Sequence, residues 1–188
     1  MRLQRLFTVG LLALSFTATS AFADSADKAK KQTEIRGKVT TTLQAFYKAD
    51  PKLKAEVEKA AGYAVFGTYG LSFLVGGAGG TGLVHDNKTK KETFMSMAQA
   101  SAGLQIGASE TSYLFVFNDA ASMQKFIDSG WEAGASASAG AGAGDKTVEA
   151  GAGAGTFTGG KVYTLTKTGL QVGGAIAGTK FWKDKDLN

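Results

Sequence analysis

Cysteine is absent from the 188-residue sequence, and histidine and proline each occur once. The lack of cysteine excludes a disulfide scaffold, thiol catalysis, cysteine-ligated zinc and an anchor built on a lipidated N-terminal cysteine. The single histidine, His85, excludes a metal centre built from several histidines. Glycine is abundant, with 26 residues, but it has no Gly-X-Y period with proline, so the chain is not collagen-like. A content of 44% hydrophobic and 20% charged residues is typical of a globular protein.

Residues 1–23 are predicted to be a signal peptide. Arg2 and Arg5 form a short basic region, and an apolar stretch follows at 6–16. A small-x-small sequence that a signal peptidase accepts then ends at Ala23. The apolar stretch is too short for a membrane span of about 20 residues. We therefore expect Sec-type export, cleavage after Ala23 and a periplasmic protein.

Residues 24–49 are predicted to form an amphipathic N-terminal helix. Apolar residues recur there at i, i+4, i+8 and i+11, which is one face of a helix with 3.6 residues per turn. This apolar stripe faces either a membrane or the core, and its members are Ile35, Val39, Leu43 and Phe46. The same segment carries the candidate lipid-binding residues, which are Lys28, Lys30, Lys31, Arg36 and Lys38.

Simple magnitudes favour the core for the apolar stripe. Burying its four side chains against a sheet contributes about 6–12 kcal/mol, at roughly 1.5–3 kcal/mol each. Residues 24–38 carry five basic and three acidic groups, a net charge of +2. Near an anionic surface this charge contributes about 2 kcal/mol. Both roles are compatible if the stripe packs inward while the lysines face lipid.

Residues 50–188 are predicted to form an α+β domain that makes one globular unit with the N-terminal helix. Asp50 and Pro51 begin a short second helix as its N-cap and first residue. A third helix, 119–129, is expected to be capped by Asn118. Alternating hydrophobicity predicts strands at 63–67, 71–76, 80–85, 91–98, 102–108, 111–117, 161–167 and 170–178.

The expected architecture is an antiparallel, partly closed β-sheet or barrel with N-terminal helices and one inserted helix. Strand 111–117 carries large apolar residues on both faces, which predicts burial on both sides. The Gly/Ala-rich tracts 134–144 and 150–155 are interpreted as strands whose small side chains let another layer approach closely.

Five short blocks form an ordered set along the chain: AAGYAVF (60–66), GGAGGTGL (76–83), AGLQIG (102–107), YLFVFN (113–118) and VYTLTKTGLQVGG (162–174). This set resembles the SYLF domain family. The resemblance implies phospholipid binding, with phosphoinositides as the ligands of eukaryotic members. It also implies that a basic amphipathic N-terminal segment contributes to that binding.

Motifs for cofactor binding and catalysis are incomplete. Residues 77–82 have the Gly-x-Gly-x-x-Gly letters of a dinucleotide fingerprint, but a strand pattern follows where a helix is required. Residues 155–162 approach a P-loop but lack the Ser or Thr that binds magnesium. His85 and Asp86 are adjacent on a strand, so they point to opposite faces. We expect no catalytic residues, no cofactor and no metal site, and a carboxylate site assembled by folding is the alternative.

The sequence favours an exported, non-enzymatic module that binds lipid or phospholipid at the cell envelope, in peripheral association with a membrane. A structural or protein-interaction module of the periplasm, with an envelope protein as partner, is the first alternative. A small outer-membrane β-barrel is the second, although its strands would need about 9–11 residues. Nucleic-acid binding is not expected, because the formal charge of +5 falls to +3 once Arg2 and Arg5 are removed.

Overall fold

The computed structural model describes residues 18–73, 77–100, 111–132, 155–157, 159–166, 169–172 and 179–188. Within these ranges the chain forms three helices: α1 (Ala18–Ala49), α2 (Lys52–Lys59) and α3 (Ala120–Ser129). The described strands are β1 (Gly62–Phe73), β2 (Gly77–Asp86), β3 (Glu92–Ala100), β4 (Ser112–Phe117), β5 (Trp131–Glu132), β6 (Gly155–Phe157), β7 (Gly160–Thr166), β8 (Gly169–Val172) and β9 (Thr179–Lys183).

The described strands form one antiparallel sheet. Their order is β5-β9-β3-β2-β1-β4-β7-β6, and β8 also pairs with β7. Strands β1, β2 and β3 pair in succession, β4 joins the free side of β1, and β9 returns to β3. The sheet curls into a half-barrel. The expected α+β class, with a partly closed antiparallel sheet, N-terminal helices and one inserted helix, is confirmed.

Both faces of the sheet are buried, because successive side chains of a strand point to opposite sides. Helices α1 and α2 cover one face, called here the α1 side, and α3 covers the other, the α3 side. Strand β4 shows the alternation clearly. Phe115 packs on the α3 side, whereas Leu114 and Val116 pack on the α1 side. The predicted burial of strand 111–117 on both sides is confirmed.

Aromatic rings form the centre of the α3 side. Phe66 of β1, Phe115 of β4, Phe126 of α3 and Phe181 of β9 are all buried. Their ring centroids lie 4.7 to 6.2 Å apart. Edge-to-face and tilted pairs at these separations add to the free energy gained by burial alone. This cluster joins strands that are distant in sequence to the single helix that covers them.

Two aspartates organise the start of α2 and the β2–β3 turn. At the start of α2, Asp50 Oδ1 accepts the backbone N–H of Lys52 at 2.9 Å. In the β2–β3 turn, Asp86 Oδ1 accepts the N–H groups of Lys88 and Thr89 at 2.8 and 3.0 Å. Both arrangements follow from the short acidic side chain, which hydrogen-bonds to backbone groups just ahead of it. Asp50 thus binds the first turn of α2, but the helix begins at Lys52 with Pro51 at the N-cap, one residue later than predicted.

The cap of α3 is Asp119, so the prediction of Asn118 was wrong. The Asp119 carboxylate accepts the N–H of Ser122 at 2.8 Å. The backbone N–H of Asn118 donates instead to the carbonyl of Gly159, in the loop before β7. Asn and Asp are about equally good caps. Local sequence therefore does not distinguish between them, and the structure shows Asp119 as the cap.

The predicted strands 63–67 and 71–76 are parts of one strand, β1, as far as residue 73. The register with β2 shifts between Gly67 and Leu71, where β1 advances four residues while β2 advances two. Such a bulge absorbs extra residues without ending the pairing. The break predicted between the two strands is therefore an irregularity within a continuous strand.

Strands β5, β6 and β9 were not predicted. β5 and β6 have two and three residues, which is too short for a periodic pattern. β9 contains only one buried large apolar residue, Phe181, among polar neighbours and a tryptophan. The predicted strand 102–108, the tract 134–144 and nearly all of the tract 150–155 lie outside the described residues.

Glycines of β2 allow β1 and β2 to approach closely. A Cβ added to Gly82 would overlap the carbonyl oxygen of Val65 and lie 2.6 Å from Cδ1 of Phe66. A Cβ on Gly80 would overlap the carbonyl oxygen of Gly67. Since these atoms are backbone or packed ring, they cannot move aside cheaply. Packing therefore explains why glycine stands at positions 80 and 82 of block 76–83.

Replacing Gly82 by alanine should lower the free energy of unfolding by about 1–3 kcal/mol, because the methyl group overpacks the β1–β2 contact. Gly37→Ala is the matched control, since Gly37 is exposed in α1 and a Cβ there would meet nothing within 4 Å. It should raise stability by up to about 1 kcal/mol through helix propensity. Urea unfolding of both variants measures the difference. Equal stability of Gly82→Ala and the parent protein would contradict the packing argument.

Candidate functional site

The apolar stripe of α1 faces the sheet. Ile35, Val39 and Phe46 are buried, and Leu43 is half-buried. All four pack in the α1-side cluster with residues of α2 and the strands, such as Leu114. The structure therefore places the stripe in the core together with Thr42, and most of the other polar residues of α1 are exposed.

The five basic residues predicted to bind lipid do not share one environment. Lys30, Lys31 and Lys38 are exposed. Lys28 is half-buried, and its Nζ donates to the main-chain oxygen of Asn188 at 2.7 Å. Lys28 and Arg36 therefore connect α1 to other parts of the fold.

Arg36 connects α1 to strand β3. Its Nε lies 2.6 Å from Oε2 of Glu92, and its guanidinium carbon lies 5.0 Å from the centroid of the Phe94 ring. The two charged side chains are 45% and 28% exposed, so water screens the ion pair, and it contributes at most about 1 kcal/mol. The cation–π contact adds about 0.5–1 kcal/mol. Arg36 is therefore suited to positioning α1.

The outward face of α1 carries a net positive charge. Two exposed carboxylates along residues 25–49, Asp27 and Glu34, oppose the exposed lysines and leave a net charge of +2. A lysine ammonium is a compact charge on a flexible stem, which suits contact with phosphate groups in varied positions. This candidate site, called here the lysine face, consists of Lys30, Lys31, Lys38 and Lys48.

A row of polar side chains crosses three strands beneath α1. Tyr63, His85 and Glu92 are cross-strand neighbours on β1, β2 and β3. The rings of Tyr63 and His85 stack with centroids 5.1 Å apart. Burial lowers the pKa of His85, and Glu92 acts in the opposite direction. His85 is therefore mostly neutral at pH 7, and the row reaches α1 through the pair of Glu92 with Arg36.

His85 and Asp86 do not form an acid–base couple. Hydrogen bonds from Thr89 lower the pKa of Asp86, whose carboxylate is engaged in the β2–β3 turn. His85 instead stacks on Tyr63. The two side chains thus serve separate parts of the fold, as their alternation along β2 predicts.

The described residues contain neither a cluster suited to a metal ion nor a helix that could cross a membrane. No three His, Asp or Glu side chains in those ranges come together in a way suited to a metal ion. None of the described helices combines the length and the apolar character needed to cross a bilayer.

Residues 184–188, called here the C-terminal segment, fold back onto β3 and α1. Leu187 is buried in the α1-side cluster. The side-chain amide of Asn188 pairs with Phe94 as a strand would, because Oδ1 accepts its N–H at 2.9 Å and Nδ2 donates to its carbonyl at 2.7 Å. Gln32 of α1 donates to the carbonyl of Leu187 at 2.7 Å. Sequence reasoning missed this segment, because its alternating charges indicate only a polar tail.

Comparisons with known proteins extend these observations. The Ysc84 family model, described as "Las17-binding protein actin regulator", matches residues 98–188. Beta cell expansion factor A from Aeromonas veronii is 33% identical over 148 residues, which cover 78% of this chain and 55% of that protein. The chain therefore spans about half the length of this relative.

The curled α+β sheet and these matches define the class of protein. The chain belongs to the SYLF family, and the resemblance inferred from its five sequence blocks is confirmed. Three of the blocks, 102–107, 113–118 and 162–174, lie inside the matched region. The family binds lipids in general.

Asn188→Ala should destabilise the fold by about 1–3 kcal/mol, because it leaves the backbone N–H of Phe94 without its partner, whereas the carbonyl keeps the N–H of Asp184 at 3.1 Å. Hydrogen exchange at the Phe94 amide should accelerate correspondingly. Lys185→Ala, at an exposed position of the same segment, is the matched control and should change neither quantity. Unchanged exchange at Phe94 in Asn188→Ala would show that the pairing is wrong.

Stability should fall between about pH 10 and 12 in part through Tyr47. Burial, with Tyr63 and Glu58 nearby, raises the pKa of Tyr47 to about 12, whereas an unfolded tyrosine titrates near 10. As the pH rises, the Tyr47 hydroxyl therefore loses its proton first in the unfolded state. The contribution of Tyr47 to the free energy of unfolding is complete below about pH 10 and is lost as the pH rises toward 12. Urea unfolding across this pH range should show that the free energy of unfolding falls less steeply with pH in Tyr47→Phe than in the parent protein. The same slope in both proteins would contradict the assignment.

Proposed function

We propose that the chain is an exported, non-enzymatic phospholipid-binding module that associates peripherally with a membrane of the cell envelope. The observation that carries this proposal is the lysine face, which lies outward on a helix whose apolar side is buried. Lipid binding by the SYLF family in general agrees with this use of the helix. The signal-peptide pattern of residues 1–23 supports export.

Binding through this face is electrostatic and does not require insertion of α1. Withdrawing the stripe from the core would give up roughly 1.5–3 kcal/mol for each buried side chain, such as Val39 or Phe46. A lysine near an anionic surface contributes about 1 kcal/mol. Folded α1 therefore presents its lysines to lipid phosphates while its stripe stays on the sheet. The resulting attraction is weak, reversible and sensitive to salt.

A protein-interaction role in the envelope is the second candidate function. The description of the matching family names a protein, Las17, as the ligand of its members, and this favours a protein-binding surface. The two functions differ in what they require of the lysine face. Lipid binding needs the summed positive charge, whereas a protein interface depends on buried contacts at particular side chains.

Replacing Lys30, Lys31 and Lys38 by glutamine should reduce binding to anionic vesicles by roughly tenfold to a hundredfold, at about 1 kcal/mol per lysine. The measurement is co-flotation of residues 24–188, the expected mature chain, with vesicles of phosphatidylcholine and phosphatidylglycerol at low salt. Vesicles of phosphatidylcholine alone and added salt should both weaken binding of the parent protein.

The matched control replaces Lys88, Lys91 and Lys125 by glutamine, which removes the same amount of charge. These exposed lysines lie away from α1, on the β2–β3 turn and on α3. It should retain most of the binding. Equal losses in the two triple variants would mean that total charge matters and the lysine face does not. Absence of flotation of the parent protein under every condition would refute lipid binding and leave the protein-interaction role.

A further inference from the structure

His85, the single histidine of the chain, is half-buried in the middle of the polar row on the α1 side. Its cross-strand neighbours are Tyr63 of β1 and Glu92 of β3. Residues directly opposite in an antiparallel pair have Cβ atoms about 4.5–5.5 Å apart. The Tyr63 ring stacks on the imidazole, with centroids 5.1 Å apart and planes inclined by 28°. The imidazole is thus flanked by an aromatic ring on one strand and by a carboxylate on the other.

Glu92 is also the partner of α1. Its Oε2 accepts a hydrogen bond from Nε of Arg36 at 2.6 Å. The carboxylate therefore stands between a guanidinium, which is always charged, and an imidazole, which is charged only in acid. While His85 is neutral, Arg36 is the stronger partner, because it alone of the two carries a full positive charge.

Two phenols near His85 stay uncharged in the acid range. Tyr63 stacks on the imidazole, and Tyr47 of α1 lies near Tyr63, with Glu58 of α2 also nearby. Burial raises the pKa of both phenols, so neither one ionises below about pH 10. In acid, the charge of the row therefore changes at His85.

The charged groups around His85 single out Glu92. Burial has the largest effect on the pKa of His85 and lowers it. Among the charged neighbours Glu92 has the largest effect and raises this pKa, Lys90 lowers it, and Asp86 raises it. The Asp86 carboxylate is occupied by backbone N–H groups of the β2–β3 turn. Glu92 is therefore the group best placed to stabilise a protonated His85.

A protonated His85 needs the carboxylate more than Arg36 does. The imidazolium is half-buried beneath α1, where a charge without a partner is costly. The side chain of Arg36 is 45% exposed, so water can replace Glu92 around the guanidinium at small cost. Either ring nitrogen of an imidazolium is a donor and can form a charge-assisted hydrogen bond with the carboxylate.

We propose that His85 is a proton-controlled switch in which uptake of a proton from solvent transfers Glu92 from Arg36 to the imidazolium. The guanidinium is released into water on the surface of α1, while the apolar stripe stays buried and keeps the helix docked. The switch operates whether or not the protein binds lipid. It acts below pH 6.5, because the pKa of His85 is lowered from that value.

Nuclear magnetic resonance of residues 24–188, prepared without a histidine tag, tests the switch because His85 supplies the only imidazole signals. The protein is titrated from about pH 8 to about pH 4.5, a range that brackets the titration of histidine. The carbon-bound imidazole protons report the proton affinity of His85, and the Nε chemical shift of Arg36 reports its pairing. Both signals should change with the same midpoint.

Three variants separate the switch from a simple effect of burial. Arg36→Gln should raise the proton affinity of His85 by up to about fivefold, because Glu92 loses its competing partner. Glu92→Gln should lower that affinity and should leave the Arg36 Nε shift independent of pH. Lys161→Gln is the matched control, since the Lys161–Glu56 pair has side-chain exposures of 47% and 30%, close to 45% and 28% for Arg36–Glu92. It should change neither signal.

The double variant Arg36→Gln/Glu92→Gln distinguishes the transfer of Glu92 from direct repulsion between Arg36 and His85. If the transfer occurs, removing Arg36 has no effect on the proton affinity of His85 once Glu92 is absent. An equal effect of Arg36→Gln in both backgrounds overturns the proposal. An Arg36 Nε shift that stays constant while His85 titrates in the parent protein also overturns it, and this measurement requires no substitution.

Discussion

Burial of the apolar stripe of α1 against the sheet is the interaction on which the rest of the structure depends. The strands carry apolar residues on both faces, so the face that contains Leu114 needs a cover as much as the face that contains Phe115. Each buried stripe side chain contributes about 1.5–3 kcal/mol. The exposed pair of Arg36 and Glu92 contributes at most about 1 kcal/mol. Apolar burial thus docks the helix, and the polar contacts set its position.

That docking determines how the chain can meet a lipid surface. With 3.6 residues per turn, fixing Ile35 and Val39 inward directs Lys30 away from the sheet, while Lys31 and Lys38 lie exposed along the flank of the helix. The lysines then belong to a rigid face rather than to a free amphipathic helix. Contact with phosphates costs no unfolding of α1, which is compatible with reversible association and with strong dependence on salt.

Much of this fold could be predicted from the sequence because the decisive signals are local. Neighbours within a few residues determine the stripe of α1 and the two-sided burial of strand β4. They also determine the contacts of Asp50 at the start of α2 and of Asp86 in the β2–β3 turn. The errors arose where a distant contact decides between equal local choices. The helix begins after Asp119 rather than Asn118, whose backbone N–H bonds to the distant Gly159, and pairing with β2 carries β1 through its bulge.

The candidate site was only partly predictable for the same reason. The lysines of α1 could be identified from composition and periodicity, but their division into outward and anchoring residues depends on partners up to 160 residues away, as Lys28 and Asn188 show. The hydrogen bonds of Asn188 to Phe94, across 94 residues, hold the C-terminal segment beside α1. The position of α1 thus depends on residues at both ends of the described chain, and the isolated N-terminal helix lacks those contacts. The membrane binding proposed for the lysine face would therefore be a property of the folded domain, even though the charges proposed to carry it lie on one helix.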